Sequence, residues 1–152
     1  MTIDPNRIRN GLILAIEAIA PNLFIALVFN RDGVTLEAGA RSVEEFFKRL
    51  EHEAHGKRWA AYPRSERLKG YAFPEHMESN LHFHIAAHGS ERMCEVALEE
   101  AHAIWRRLTG TGHADAQLAN SPRAVARYIT KATRDPRSIG NFVAYAPTPT
   151  VK

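Results

Sequence analysis

Leu81-His82-Phe83-His84-Ile85-Ala86-Ala87-His88 alternates with the period of a β-strand, setting Leu81, Phe83 and Ile85 on one face and His82 and His84 on the other. Same-face residues on a strand lie about 6.6 Å apart, two steps of about 3.3 Å, so two imidazoles at this spacing can lean onto one metal ion. A solvated histidine pair on the polar face of an amphipathic strand fits the same pattern. Upstream stands Glu75, separated from the histidines by the turn-like His76-Met77-Glu78-Ser79-Asn80. Antiparallel pairing across that turn puts Glu75 opposite His82 and adds a hard carboxylate ligand. Farther on, Tyr128-Ile129-Thr130-Lys131 places a tyrosine and a lysine one turn apart on an expected helix.

The flanking elements follow from apolar spacing and punctuation. Residues 5 to 19 read as an amphipathic helix, with Pro5 in its first turn and Ile8, Leu12, Ile16 and Ile19 on one side; Pro21-Asn22 ends it. Leu23 to Phe29 is a short apolar run suited to a buried central strand, closed by the turn Asn30-Arg31-Asp32-Gly33. Ser42-Val43-Glu44-Glu45 has the form of a capping box, opening a helix whose apolar face is Val43, Phe46, Phe47 and Leu50. A strand is expected over Leu68 to Glu75, a helix capped by Ser90 over 91 to 108, a short edge strand over Ala114 to Ala119, and a helix beginning at Ser121-Pro122. One domain over residues 1–135 and an irregular tail over 136–152 complete the expected organisation.

Composition narrows the class. With 152 residues and 45% apolar content the chain can bury a core without disulfides, and its single cysteine, Cys94, excludes an intrachain disulfide or a Cys-rich zinc module. Twenty basic residues against 17 acidic ones give a formal charge of +3, which permits a nucleic-acid partner without requiring one. The distribution says more: acids concentrate in Glu44 to Glu53 and Glu91 to Glu100, cations in Lys57 to Lys69 and Arg123 to Arg137. Within the first basic segment, Lys57, Arg58, Trp59 and Tyr62 interleave rings with cations, as single-stranded nucleic acid requires for stacking and phosphate contact. Anchoring of a solvated loop is the other reading of those rings. Arg123 and Arg127 on the last helix extend the candidate nucleic-acid surface. No apolar run of about 18 residues predicts a membrane span. Glu17 interrupts what would be a signal-peptide core, so a cytoplasmic location is expected.

A carboxylate, then His-x-His on a strand, then Tyr-x-x-Lys on a helix resembles the HUH endonuclease domain of rolling-circle replication initiators (Rep proteins). Leu23 to Phe29 resembles that family's first strand motif, and Trp105 followed by Gly110 sits where similar residues often occur. The resemblance runs from about residue 22 to 135 and rests on the order and spacing of several motifs. It implies an α+β fold, a central antiparallel sheet with flanking helices in a ferredoxin-like (RRM-like) topology. It also implies nicking of single-stranded DNA: Tyr128 attacks a phosphodiester, keeps a 5′-phosphotyrosine link and frees a 3′-hydroxyl. His82, His84 and Glu75 would hold Mn²⁺ or Mg²⁺, and Lys131 would offset charge near the phenolate and phosphate.

The order of motifs, with Tyr128 after the histidines, resembles replication initiators and small single-strand transposases more than conjugative relaxases. One tyrosine in the motif helix departs from the two-tyrosine members, and Ala26-Leu27-Val28 stands where threonines are frequent. No Walker motif is present, so the chain is expected to carry no NTPase of its own; the resemblance implies an origin hairpin or other single-stranded DNA, a separate helicase and host replication proteins as partners. Two further readings remain open: a DNA-binding domain of this fold without nicking, and a zinc hydrolase using His88 or His113 as third ligand.

Overall fold

The computed structural model of the protein describes residues 4–131 and 136–147. Helix α1, Pro5–Ala18, starts where expected, with Pro5 in its first turn and the Asp4 carboxylate accepting the Asn6 N–H at 3.0 Å. Strand β1, Leu23–Val28, follows, then helix α2, Leu36–His55. That helix begins six residues before the capping box. Thr35 is its cap, accepting from the Ala38 N–H at 3.1 Å, while the Ser42 hydroxyl donates back to the Ala38 carbonyl inside the helix.

Two short 3₁₀ turns, Trp59–Ala61 and Arg64–Glu66, lead to the hairpin of β2, Lys69–Glu75, and β3, His82–His88. Helix α3, Glu91–Thr109, is capped by Ser90 and ends at Gly110, whose φ of 78° is the left-handed conformation that suits glycine. Strand β4, His113–Leu118, and helix α4, Pro122–Thr130, follow, the latter capped by Ser121 as expected. Of the expected irregular tail, residues 148–152 lie outside the described residues, and the part before them is instead regular. Residues Pro136–Gly140 form the short helix α5, and Val143–Tyr145 form β5, which pairs with β2.

The five strands form one antiparallel sheet in the order β4-β1-β3-β2-β5. Its first four strands have the ferredoxin-like arrangement, two β-α-β crossovers joined by the β2–β3 hairpin, with β5 added at an edge. β1 lies between β3 and β4, which explains its nearly continuous apolar sequence.

Each face of the sheet is covered differently. Leu23, Ile25, Leu27, Phe83 and Ile85 are fully buried beneath α2 and α3, together with Phe46, Phe47 and Trp105. Trp105 Nε1 donates to the Val28 carbonyl at 2.9 Å, so this large indole fills the core without an unpaired polar group. On the other face Phe73 and Ala86 are buried with Ile16 of α1 and with Ala126 and Ile129 of α4. Toward one end of that face lie Glu75, His82 and His84, each only partly accessible to solvent. Among the described residues no helix is long and apolar enough to cross a membrane.

Candidate active site

Register builds the cluster. Glu75 of β2 pairs with His82 of β3, as expected, so their side chains share a face with His84, two residues farther along. Glu75 Oε2 lies 3.2 Å from His84 Nδ1, and both side chains are largely buried. That approach is not aligned as a hydrogen bond: Nδ1 is buried without a satisfying partner. The His84 ring, burial opposing it, and the Lys131 and His76 charges act together to hold the Glu75 carboxyl below the usual carboxylate range. His82 is held below the ordinary histidine value, first by burial and then by its histidine neighbours, which favours the neutral imidazole that a metal needs.

Tyr128 reaches this cluster from α4. Its ring centroid is 5.8 Å from that of His84 and 5.6 Å, edge-on, from that of Phe24; the Phe24 and His84 centroids are also 5.8 Å apart. The ring remains 48% exposed, so a large substrate has access to it. Lys131, which caps the end of α4, places Nζ 3.8 Å from the Tyr128 ring centroid. Residues more than forty positions apart in sequence therefore meet on one face: Glu75, His82 and His84 from the hairpin, Tyr128 and Lys131 from the helix.

Two residues at the site have no counterpart in the sequence reading. Phe24 completes the triangle of rings; its place in an unbroken apolar run concealed which face it takes. His76 follows Glu75 directly and holds a φ of 55°, unusual outside glycine, with its ring 4.8 Å from that of His82.

The donor set suits a divalent cation in chemistry, with the Glu75 carboxylate held ionised and the His82 imidazole held neutral, and the unsatisfied His84 nitrogen beside Glu75 is what a cation would engage. As they stand, Glu75 turns to His84 and His82 to His76, and among the described residues no three His, Cys, Asp or Glu side chains are already gathered around one metal position.

The remaining candidates lie elsewhere. His88 stands four residues beyond His84, about 13 Å at about 3.3 Å per residue, with Nδ1 2.8 Å from the Ala20 carbonyl. His113 packs 4.8 Å from His102, whose Nδ1 accepts the Ala114 N–H. Neither joins His82 and His84, which disfavours the single zinc site considered above. Trp59 packs under the Arg67 guanidinium, 5.0 Å away, and Tyr62 stacks on His55 at 4.2 Å. Both belong to the layer of α2 and α3, so Lys57, Arg58, Trp59 and Tyr62 are not brought beside Tyr128. Arg123 and Arg127 are exposed on α4 itself, Arg123 lying 4.0 Å from Glu17.

No family model, curated protein or solved structure matches this chain.

Proposed function

We propose that the chain is a single-stranded-DNA endonuclease of the HUH type, nicking and rejoining strands through Tyr128 to start rolling-circle replication of a plasmid or phage. The observation that carries this reading is the convergence of an accessible tyrosine, a lysine and a His/His/Glu donor set on one face of a ferredoxin-like sheet. A core tyrosine needs none of those neighbours.

In this reading the Tyr128 oxygen attacks the phosphorus of a backbone phosphodiester. The P–O3′ bond breaks, the phenol loses its proton, and the departing oxygen ends as a 3′-hydroxyl. The new phosphotyrosine ester replaces the ester that was broken, so a returning 3′-hydroxyl reverses the step without ATP. Phe24 and His84 hold the phenol ring by its edge and face, limiting its rotation. Lys131 supplies a compact positive charge where the phosphate oxygens gather. His82, His84 and Glu75 would hold Mn²⁺ or Mg²⁺, which when bound supplies Lewis-acid polarisation of the phosphate.

The test is product analysis on labelled single-stranded oligonucleotides with the wild-type chain and Tyr128→Phe, each with Mn²⁺ and with EDTA. The expected result, only from wild type with Mn²⁺, is an upstream fragment ending in a free 3′-hydroxyl and a downstream fragment linked to the protein through its 5′-phosphate. Equal cleavage by Tyr128→Phe would transfer the chemistry to a hydrolytic mechanism.

A further inference from the structure

The last turn of α4 closes in the 3₁₀ pattern. The Lys131 N–H donates to the Tyr128 carbonyl, three residues back, and not to the Arg127 carbonyl, four back. Side chains at i and i+3 eclipse in that pattern, and the Lys131 ammonium accordingly stands over the Tyr128 ring, Nζ 3.8 Å from its centroid. The arrangement releases the Arg127 carbonyl from the helix ladder, at the end of α4 where the helix dipole is negative. A donor from outside the ladder has to take it up.

Two side chains do so. The Thr130 hydroxyl donates chiefly to the Ala126 carbonyl at 2.7 Å and lies 3.4 Å from the Arg127 carbonyl oxygen. The second donor comes from the start of the chain: Arg9 of α1 donates from Nη2 to the Arg127 carbonyl at 3.3 Å. Helix α1 runs antiparallel to α4, with Glu17 and Arg123 4.0 Å apart at the opposite end of the pair. Between those two points Leu12, Ile13 and Ile16 share an apolar cluster with Val125, Ala126 and Ile129. Packing of the two helices therefore carries the Arg9 charge to the C-terminal end of α4, where a cation is favourable. Arg9 Nε is buried without a partner, so the bond from Nη2 is the hydrogen bond that fixes this guanidinium among the described residues.

We propose that Arg9 is a positioning residue for Tyr128 and Lys131: by taking up the carbonyl that the tightened turn releases, it holds their side chains eclipsed and keeps the lysine charge over the ring. The proposal deepens the nicking reading and rests on it for the reaction, though not for the geometry. Arg9 acts through the Arg127 carbonyl, one residue before the nucleophile, and not on the strand itself. Without it the last turn is free to relax to the α-helical pattern, in which Lys131 N–H returns to Arg127 and the two side chains no longer eclipse.

Two arms test it on the full chain. In the first, NMR follows the ε-methylene protons of Lys131, assigned by their loss in Lys131→Arg; the Tyr128 ring current shifts them upfield while the ammonium stands over the ring. Arg9→Ala is expected to move this signal toward the position of an unstructured lysine. Glu17→Ala, which loosens the same helix pair at its other end, should leave it in place. A signal unchanged in Arg9→Ala, or moved equally by Glu17→Ala, overturns the proposal. In the second arm, nicking of a labelled single-stranded oligonucleotide is measured over a range of concentrations. Arg9→Ala should lower kcat about tenfold with KM unchanged, since a misplacement of about 1 Å at the reacting groups costs up to about a hundredfold. Arg9→Lys, which keeps the charge, should recover part of that loss. A raised KM at unchanged kcat makes Arg9 a strand contact and overturns its positioning role. Absence of nicked product from wild type, with the Lys131 signal still moving in Arg9→Ala, removes the nicking reading and leaves the coupling of Arg9 to the tightened turn standing.

Discussion

Tyr128 is held by ring contacts on the two sides where it meets Phe24 and His84 and by Lys131, yet it keeps about half its surface in water. Its hydroxyl is therefore dispensable for folding but not for the proposed chemistry. Tyr128→Phe is expected to leave the unfolding midpoint within about 0.5 kcal/mol of wild type in urea while abolishing strand cleavage. Lys131→Ala should slow cleavage roughly 10²-fold, the loss typical of one preorganised electrostatic group, as measured in single-turnover kinetics. Cys94 gives an independent check on burial. Desolvation, helped by Glu91, pushes its thiol up from the ordinary value, so less thiolate exists at a given pH than in an unstructured peptide. Alkylation by iodoacetamide at pH 8 should run slower in the folded chain than in urea, and the difference should shrink as pH rises through the folded value. The residues visible in the sequence, Glu75, His82, His84 and Tyr128, announced themselves through strand alternation, a hairpin turn and a helical spacing. His76 did not, because its positive φ leaves no mark in the residue pattern.

Elements were legible where their ends carry chemistry and obscure where tertiary packing decides. Ser90 and Ser121 cap α3 and α4 as their sequences predict. α2 begins earlier than its capping box, at the Thr35 cap, and Gly39, a poor helix former inside its first turns, concealed that start in the sequence. A Cβ there would stand 2.7 Å from Leu81 Cδ2 and 3.0 Å from Phe83 Cε2, so a larger residue would force these buried side chains to shift. The turn of β5 back onto the sheet was equally hidden, since three residues carry little periodicity. What anchors it is a buried carboxylate: Glu51 of α2, fully buried, accepts from Arg67 Nε at 2.6 Å, Arg67 Nη2 at 2.9 Å, the Leu68 N–H at 2.9 Å and the Tyr145 hydroxyl. The network joins α2, the start of β2 and β5, and every lone-pair direction of the carboxylate is used. Glu51→Ala leaves Arg67 buried without its partner and should cost about 3–5 kcal/mol in denaturant unfolding. Tyr145→Phe removes one hydrogen bond from the same carboxylate and should cost about 1 kcal/mol.

At the scale of the molecule, a ferredoxin-like sheet carries α2 and α3 on one face and α1 and α4 on the other, and the histidine pair lies on the face of α1 and α4. The sequence made the α+β class readable, and with it the pairing of Glu75 with His82 across the hairpin. It did not reveal that the basic, aromatic segment around Trp59 packs on the opposite layer, because charge and aromaticity carry no information about which side of a sheet a loop joins. Stability at high pH should report the β5 anchor. Burial, and then the Glu51 carboxylate, raise the Tyr145 phenol above its ordinary value, so the folded chain keeps a proton that the unfolded chain loses. Its contribution is complete below about pH 10, the ordinary tyrosine value, and declines as pH rises toward the folded value. Denaturant midpoints of wild type and Tyr145→Phe should accordingly converge above about pH 10. Metal should act on the other end of the fold: Mn²⁺ at about 100 times its dissociation constant should stabilise wild type by about 2.7 kcal/mol and His82→Ala/His84→Ala not at all, read as a shift in thermal midpoint.

The most direct measurement is capture of the covalent intermediate. Wild-type protein is incubated with a randomised single-stranded DNA pool in Mn²⁺ or EDTA, denatured in SDS, digested, and the DNA-linked peptide sequenced by mass spectrometry. A Mn²⁺-dependent phosphotyrosine on Tyr128 is the predicted result. Tight binding of the pool with no adduct under any divalent metal, or an adduct on a different residue, would contradict it.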